Sequence, residues 1–283
     1  MKMNFIKLLP ALLLGACSTY QLQETSEKPQ QQILDRQTDA IAAAVSKDNC
    51  GVGCPLGGSS QTLIREAYTL NNNASTKFAN WVAYKMTKDS QASGRSRTWR
   101  QDPDLPTSDT LAPTAYTGAN AALTVDRGHQ APLAGLAGLS DWQSLNYLSN
   151  ITPQKASLNQ GAWVKLEDKE RALANRSDVP AVFSVTGPLF ERNIATLPNA
   201  PTVQIPSGYW KILFTGLSPT NGEYAAFIMD QDTPRGANFC NLQATVSQIE
   251  QKTGLNIWSS LPVDVASAIK SQKGTLANDL GCP

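Results

Sequence analysis

The chain is almost without histidine. Its 283 residues contain one, His129, so a metal site built on paired histidines is excluded, as is any mechanism needing two imidazoles. Imidazole chemistry of any kind has a single address. Long apolar runs are missing as well: no segment after the first residues is long and apolar enough to cross a bilayer as a helix. Nor is there an excess of charge of one sign. The 24 Lys and Arg nearly balance 23 Asp and Glu, so overall charge points to neither a nucleic-acid nor an anionic-membrane partner, and any such site is a local patch. The sequence also lacks a P-loop, a His-Glu-x-x-His motif and a Gly-x-Ser-x-Gly nucleophile elbow.

Its beginning is informative. Lys2 and Lys7 precede a short apolar run that ends in Leu14-Gly15-Ala16-Cys17, the layout of a secretory signal peptide over residues 1–16. Those last four residues also resemble a bacterial lipobox, in which the cysteine is lipidated and becomes the mature N-terminus. Ordinary cleavage near the same place is the alternative. Lipidation is favoured because Cys17 is the odd one of five cysteines. The other four form a close pair, Cys50 and Cys54, and a distant pair, Cys240 and Cys282. A C-x3-C spacing can mark a metal site, but one histidine leaves few further ligands. An exported chain meets an oxidising compartment, so disulfides Cys50–Cys54 and Cys240–Cys282 are expected. Residues 17–48, rich in Gln, Ser, Thr and charge, read as a flexible arm, and residues 49–283 as one globular domain.

Within that domain, strands are predicted at Phe78 to Met86, Ala181 to Val185, Tyr209 to Thr215 and Tyr224 to Met229. Helices are predicted at Lys155 to Asn175, Leu242 to Lys252 and Val263 to Lys270. The irregular interleaving argues for an α+β fold. Residues 88–122 read as a long surface loop, a common home for binding residues.

Three segments hold residues capable of chemistry. Asp126-Arg127-Gly128-His129 sets an arginine two residues before the only imidazole, with a glycine that permits close approach. In the first predicted helix, Asn159, Trp163, Glu167 and Arg171 recur every four residues. An amide oxygen, a carboxylate and a guanidinium on one stripe suit a hard cation and a phosphate, although a solvated face with a Glu167–Arg171 pair has the same spacing. Arg95, Arg97 and Arg100 interleave with Trp99, a pattern that fits a phosphate backbone or simply a solvated basic loop.

The blocks Asp126-Arg127-Gly128-His129-Gln130-Ala131-Pro132-Leu133-Ala134, Leu148-Ser149-Asn150-Ile151-Thr152-Pro153-Gln154, Leu158-Asn159-Gln160-Gly161-Ala162-Trp163 with Leu166-Glu167, and Thr186-Gly187-Pro188-Leu189 together resemble the DNA/RNA non-specific endonucleases of the ββα-metal class. The resemblance runs from about Asn49 to Cys282 and takes in both cysteine pairs. It implies a central antiparallel sheet flanked by helices and long loops. It also implies that His129 is the general base and that Asn159 is the direct protein ligand of Mg²⁺, for which Mn²⁺ can substitute. Glu167 then holds metal-bound water, Arg97 and Arg127 contact the scissile phosphate, and Arg171 and Asp126 support substrate binding. Asn150 is implied to shape the site around the base. Substrates are DNA and RNA, single- or double-stranded, and products carry 5′-phosphates. A homodimer is also implied. Every motif position checked is present. The departure lies at the front, where the lipobox and arm raise an outer-membrane or periplasmic lipoprotein beside a freely secreted enzyme. A surface lipoprotein that binds nucleic acid without cutting it is the contrasting reading, and a phosphodiesterase or sugar-selective nuclease on the same fold is a narrower one. From its reference pKa, His129 predicts activity that declines below about pH 6.5.

Overall fold

The structure is a computed structural model and describes residues 48–283; the expected signal peptide, Cys17 and nearly all of the expected arm lie outside these residues. Among the described residues, eleven strands and seven α-helical segments are found. The strands are β1 (Thr62–Ile64), β2 (Thr69–Asn73), β3 (Phe78–Met86), β4 (Val125–His129), β5 (Ile151–Lys155), β6 (Val182–Leu189), β7 (Thr196–Leu197), β8 (Ala200–Gln204), β9 (Gly208–Ser218), β10 (Asn221–Asp230) and β11 (Gln243–Ala244). The helices are α1 (Ala119–Leu123), α2 (Leu133–Leu136), α3 (Ala156–Leu158), α4 (Val164–Ala174), α5 (Val246–Thr253), α6 (Val263–Lys270) and α7 (Leu276–Asp279).

Seven strands form one sheet in the order β1-β2-β3-β6-β9-β10-β11, and every neighbouring pair is antiparallel. Period-two alternation sends the side chains of β3 and β9 to opposite faces. Val82, Tyr84, Met86, Tyr209 and Leu213 join the core beneath α4, with Leu158, Trp163, Leu166 and Leu173. Trp81, Ala83, Trp210, Ile212 and Phe214 face the other way and pack with Val246, Ile249, Leu255 and Trp258. Both faces are covered, so the central strands are apolar on both sides. The α+β expectation holds, as do the strand at Phe78–Met86 and the helix at Val263–Lys270.

The helix predicted from Lys155 to Asn175 is interrupted. After α3 the chain makes a π turn over Asn159–Trp163, with Gly161 at φ −116° and ψ −115°, before α4 begins. The regular apolar spacing hides this break, because Leu158, Ala162 and Leu166 are buried on either side of it. Helix α5 starts four residues later than predicted. Thr245 caps it by accepting from the Gln248 backbone N–H while the Gln248 side chain returns a bond to the Thr245 N–H.

A second pairing lies outside the main sheet. Strands β4 and β5 form a separate antiparallel ribbon that pairs His129 with Ile151 and Asp126 with Gln154. Strand β5 leads directly into α3, the π turn and α4, so the paired strands adjoin the helix, with α2 in the connection between β4 and β5.

Both expected disulfides are formed, with Cα–Cα distances of 5.0 Å for Cys50–Cys54 and 5.2 Å for Cys240–Cys282. They span 4 and 42 residues. Loop-closure entropy in the unfolded chain therefore predicts a loss of about 4 kcal/mol when Cys240 and Cys282 are both changed to Ala, against about 2 kcal/mol for Cys50 and Cys54. Urea denaturation of the two double variants measures the difference, and the C-terminal pair is expected to give the larger shift in midpoint.

Candidate active site

The β4–β5 ribbon and the π turn face each other across a cleft of about 600 Å³. On β4, Arg127 and His129 are two residues apart and so share a face of the strand. Gly128 between them is required by the partner strand, since a Cβ there would lie 2.6 Å from Gln154 Oε1 and 2.8 Å from Gln154 Cβ. Arg97, Trp99, Asp126, Arg127, His129, Asn159, Glu167 and Arg171 all line the cleft. The structure thus gathers seven of the eight expected site residues from the long loop, the ribbon, the π turn and α4.

Asn150 is the exception. It is fully buried and does not reach the cleft. Its Oδ1 accepts from the Ala131 N–H at 2.9 Å, and its Nδ2 donates to the Ala131 carbonyl at 3.1 Å and the Leu145 carbonyl at 2.9 Å. These bonds tie the chain just after His129 to the chain just before Asn146, so Asn150 supports the backbone on either side of the cleft and does not line it.

The imidazole is half-buried. Its Nε2 lies 3.3 Å from Asn146 Oδ1, and the Asn146 Nδ2 donates to the Ser96 carbonyl at 3.3 Å. That second bond fixes the amide, so an acceptor oxygen faces Nε2 and the ring proton sits there. Nδ1 keeps its lone pair. Trp99 packs against the ring at a centroid distance of 5.4 Å. Burial, and then the positive charge of Arg97, push the imidazole down to about 4 from its ordinary value, against an opposing effect of the Asn146 bond. His129 is therefore neutral far below the pH 6.5 expected from its reference value.

The basic loop divides its three arginines. Arg97 alone enters the cleft; Arg95 stacks over Trp142 at 4.8 Å and donates to the Ala137 carbonyl, and Arg100 is exposed. Trp99 is turned inward, where its ring also lies 5.5 Å from the Arg127 guanidinium. Tyr116 flanks the same guanidinium at 5.2 Å, so Arg127 is held between two aromatic rings.

The four-residue stripe is likewise divided. Trp163 is only 2% exposed and belongs to the core, and its Nε1 donates to Glu167 Oε1 at 3.0 Å. Arg171 pairs with Asp168, not with Glu167. Burial raises the Glu167 carboxyl above its ordinary value, while Lys211 behind it opposes that rise. Asn159 donates through Nδ2 to Asp126 Oδ2 at 3.0 Å. Asp126 also receives Asn120 Nδ2 at 3.2 Å on Oδ1 and Gln160 Nε2 at 2.7 Å on Oδ2. Asn159 Oδ1 is left facing no protein donor among the described residues.

Among those residues, no cluster of three or more His, Cys, Asp or Glu side chains is placed to hold a metal. The donor set fits a different kind of site. An amide oxygen and a nearby carboxylate suit a hard, strongly hydrated cation that retains most of its water. Asn146, Trp99, Tyr116, Asn120 and Gln160 were not singled out for these contacts in the sequence. Asn146, Trp99 and Gln160 meet partners 17 or more residues away, and the nearer Asn120–Asp126 and Tyr116–Arg127 contacts follow no helix or strand spacing.

Because His129 is the only imidazole, its ring protons give an isolated NMR titration. A midpoint near 4 is expected; a midpoint at 6.5 would show that burial and Arg97 do not act as described.

The family model for DNA/RNA non-specific endonucleases matches residues 45–264. A nuclease of Serratia marcescens is 61% identical over 239 residues, covering 84% of this chain and 90% of that protein. A nuclease of Nostoc sp. is 25% identical over 221 residues, covering 74% and 77%. Among solved structures, a chain of the EndoG/EndoGI complex superposes with a TM-score of 0.61 at 21% identity, over 73% of this chain and 89% of that one, a likeness of fold. With the ribbon-and-helix site in place and the family model matched over most of its length, the chain belongs to the DNA/RNA non-specific endonuclease family, a metal-dependent class of nuclease with the ββα-metal fold.

Proposed function

We propose that residues 49–283 form a nuclease domain that hydrolyses DNA and RNA phosphodiesters to 5′-phosphate products, with His129 as general base. The observation that carries this reading is the His129 imidazole, with Nε2 against Asn146 Oδ1, in a cleft shared with Arg97, Arg127 and Arg171.

A phosphodiester resists attack because its oxygens are negative and its leaving group is a poor alkoxide. The arginines draw the substrate in and offset that charge, with Arg127 held in place by its flanking rings. His129 Nδ1 accepts the proton of a water as that water attacks phosphorus and the bond to the 3′-oxygen breaks, the leaving oxygen taking a proton from solvent water to become a 3′-hydroxyl. A positioned base of this kind contributes about 10²–10⁴ in rate. Asn159, through Oδ1, and Glu167, through water, are the residues that would hold a Mg²⁺ ion, with Mn²⁺ as a substitute. When bound, the ion supplies Lewis-acid stabilisation of charge developing on the phosphoryl and leaving oxygens. Recognition through phosphate and sugar carries no base information, which fits cleavage without sequence preference.

Export through the signal peptide at residues 1–16 belongs to the same reading, supported by the two disulfides. So does a lipid anchor at Cys17, supported by the lipobox-like Leu14-Gly15-Ala16-Cys17. A homodimer rests on the family resemblance alone.

Plasmid DNA and RNA incubated with the protein and Mg²⁺ are expected to be degraded, and chelator is expected to stop the reaction. Intact nucleic acid in the Mg²⁺ lanes would overturn the reading. His129→Ala is expected to reduce the rate by at least about 10² while leaving the far-UV CD spectrum unchanged. The pH profile checks the ionisation state. An imidazole brought down to about 4 can accept a proton from water at every higher pH, so activity is expected to hold as the pH falls to about 5, to be halved near 4 and to be lost below it.

A further inference from the structure

An asparagine that ligates a cation must present its oxygen, because the amide NH₂ has no lone pair to offer. The two ends of the amide have nearly the same shape, so the choice between them is made by whatever the other end meets. In this protein that is Asp126, which accepts and cannot donate, and which takes the Asn159 Nδ2 at 3.0 Å.

The network does not end there. The same Asp126 oxygen accepts Gln160 Nε2 at 2.7 Å, and Gln160 Oε1 accepts Arg235 Nη1 at 3.0 Å. Arg235 stands on the loop after β10 and has donors only. The series therefore has one consistent polarity. A donor-only guanidinium forces Gln160 to show it the oxygen, which turns the Gln160 NH₂ to Asp126. The carboxylate, held by that amide and by Asn120, meets the Asn159 NH₂ and leaves Oδ1 for the cleft.

Backbone contact seats the loop in the same place. At Gly161, next to Gln160, an added Cβ would lie 2.8 Å from the Arg235 carbonyl oxygen and 2.9 Å from its Cα. The π turn that carries Asn159 thus folds directly against the Arg235 backbone. Gln160 and Arg235 side chains are both exposed, so neither is needed to fill the core.

We propose that Gln160 and Arg235 are positioning residues that set the amide orientation of Asn159 through Asp126. The inference rests on the reading of Asn159 as a metal ligand. Without Arg235, the Gln160 amide loses the contact that holds its NH₂ on the carboxylate and is free to turn away into solvent. Asp126 then loses a donor, and the constraint on Asn159 relaxes.

The test is direct cation binding by the folded protein without nucleic acid, using Mn²⁺ followed by electron paramagnetic resonance. Outer-shell partners of metal ligands are typically worth about 10–100-fold in affinity. Gln160→Leu is expected to weaken Mn²⁺ binding about 10-fold, and Arg235→Ala, one bond further out, about threefold. Arg235→Lys, which restores a donor, is expected to fall between Arg235→Ala and the unaltered protein. The His129 ring titration is expected to stay in place in all three, since the network does not touch the imidazole. Asn159→Ala separates the two levels of the argument. If Asn159→Ala abolishes binding while Gln160→Leu and Arg235→Ala bind as the unaltered protein does, the positioning inference is wrong and the ligand reading stands. If Asn159→Ala binds Mn²⁺ normally, the ligand reading fails and the inference with it.

Discussion

A charge buried beneath α4 holds the site together. Lys211, on β9, has no exposed side-chain surface, and neither has Glu170 on α4. The ammonium lies 3.2 Å from Glu170 Oε2, donates to Tyr84 Oη at 2.8 Å and sits over the Trp163 ring at 4.8 Å. Tyr84 and Ser184 both donate to the same carboxylate, from β3 and β6. Three central strands therefore meet α4 through one polar knot. Breaking a pair of this kind strands a charge in a dry interior, at a cost of about 3–5 kcal/mol. Apolar packing alone tolerates sliding and repacking, whereas this knot has one satisfactory register. Glu167 and Arg171 lie on the same helix, so the register of α4 on the sheet also sets where they stand over the cleft.

The cleft is organised by a second economy, in which each charge serves more than one purpose. Arg97, which lines the cleft, also discourages protonation of His129, because a further positive charge beside it is unfavourable. The imidazole consequently stays neutral in a cleft that also holds Arg127 and Arg171. Trp99 serves twice in the same way, screening the imidazole from water and flanking Arg127.

The sequence made parts of this legible and concealed others for physical reasons. Strand β3 and helix α6 could be read because their residues alternate or recur with the proper period and end at turn-forming neighbours. His129, Arg127, Asn159 and Glu167 stand in contiguous blocks that resemble a known family, and the fold brings them together. The β4–β5 ribbon was not predicted as strand. Val-Asp-Arg-Gly-His has no apolar alternation, since its polar side chains line a cleft and do not face water across from a core. The π turn was invisible because the apolar spacing runs smoothly through it. Asn150, expected to shape the site around His129, does not line the cleft but bonds to Ala131 and Leu145, partners that no local spacing reveals. The acid shift of His129 has the same character: it arises from burial and from Arg97, 32 residues away in sequence.

The edges of the main sheet carry a consequence of their own. One border strand, β1, has three residues, and the other, β11, has two. A long, flat border would offer a row of unpaired amides and carbonyls to a strand from another molecule, the usual route to edge-to-edge aggregation. Neither border strand is long enough to serve as such a template. The wide, doubly covered sheet beneath α4 thus ends at both sides in strands of two or three residues, and neither of them carries a charged side chain.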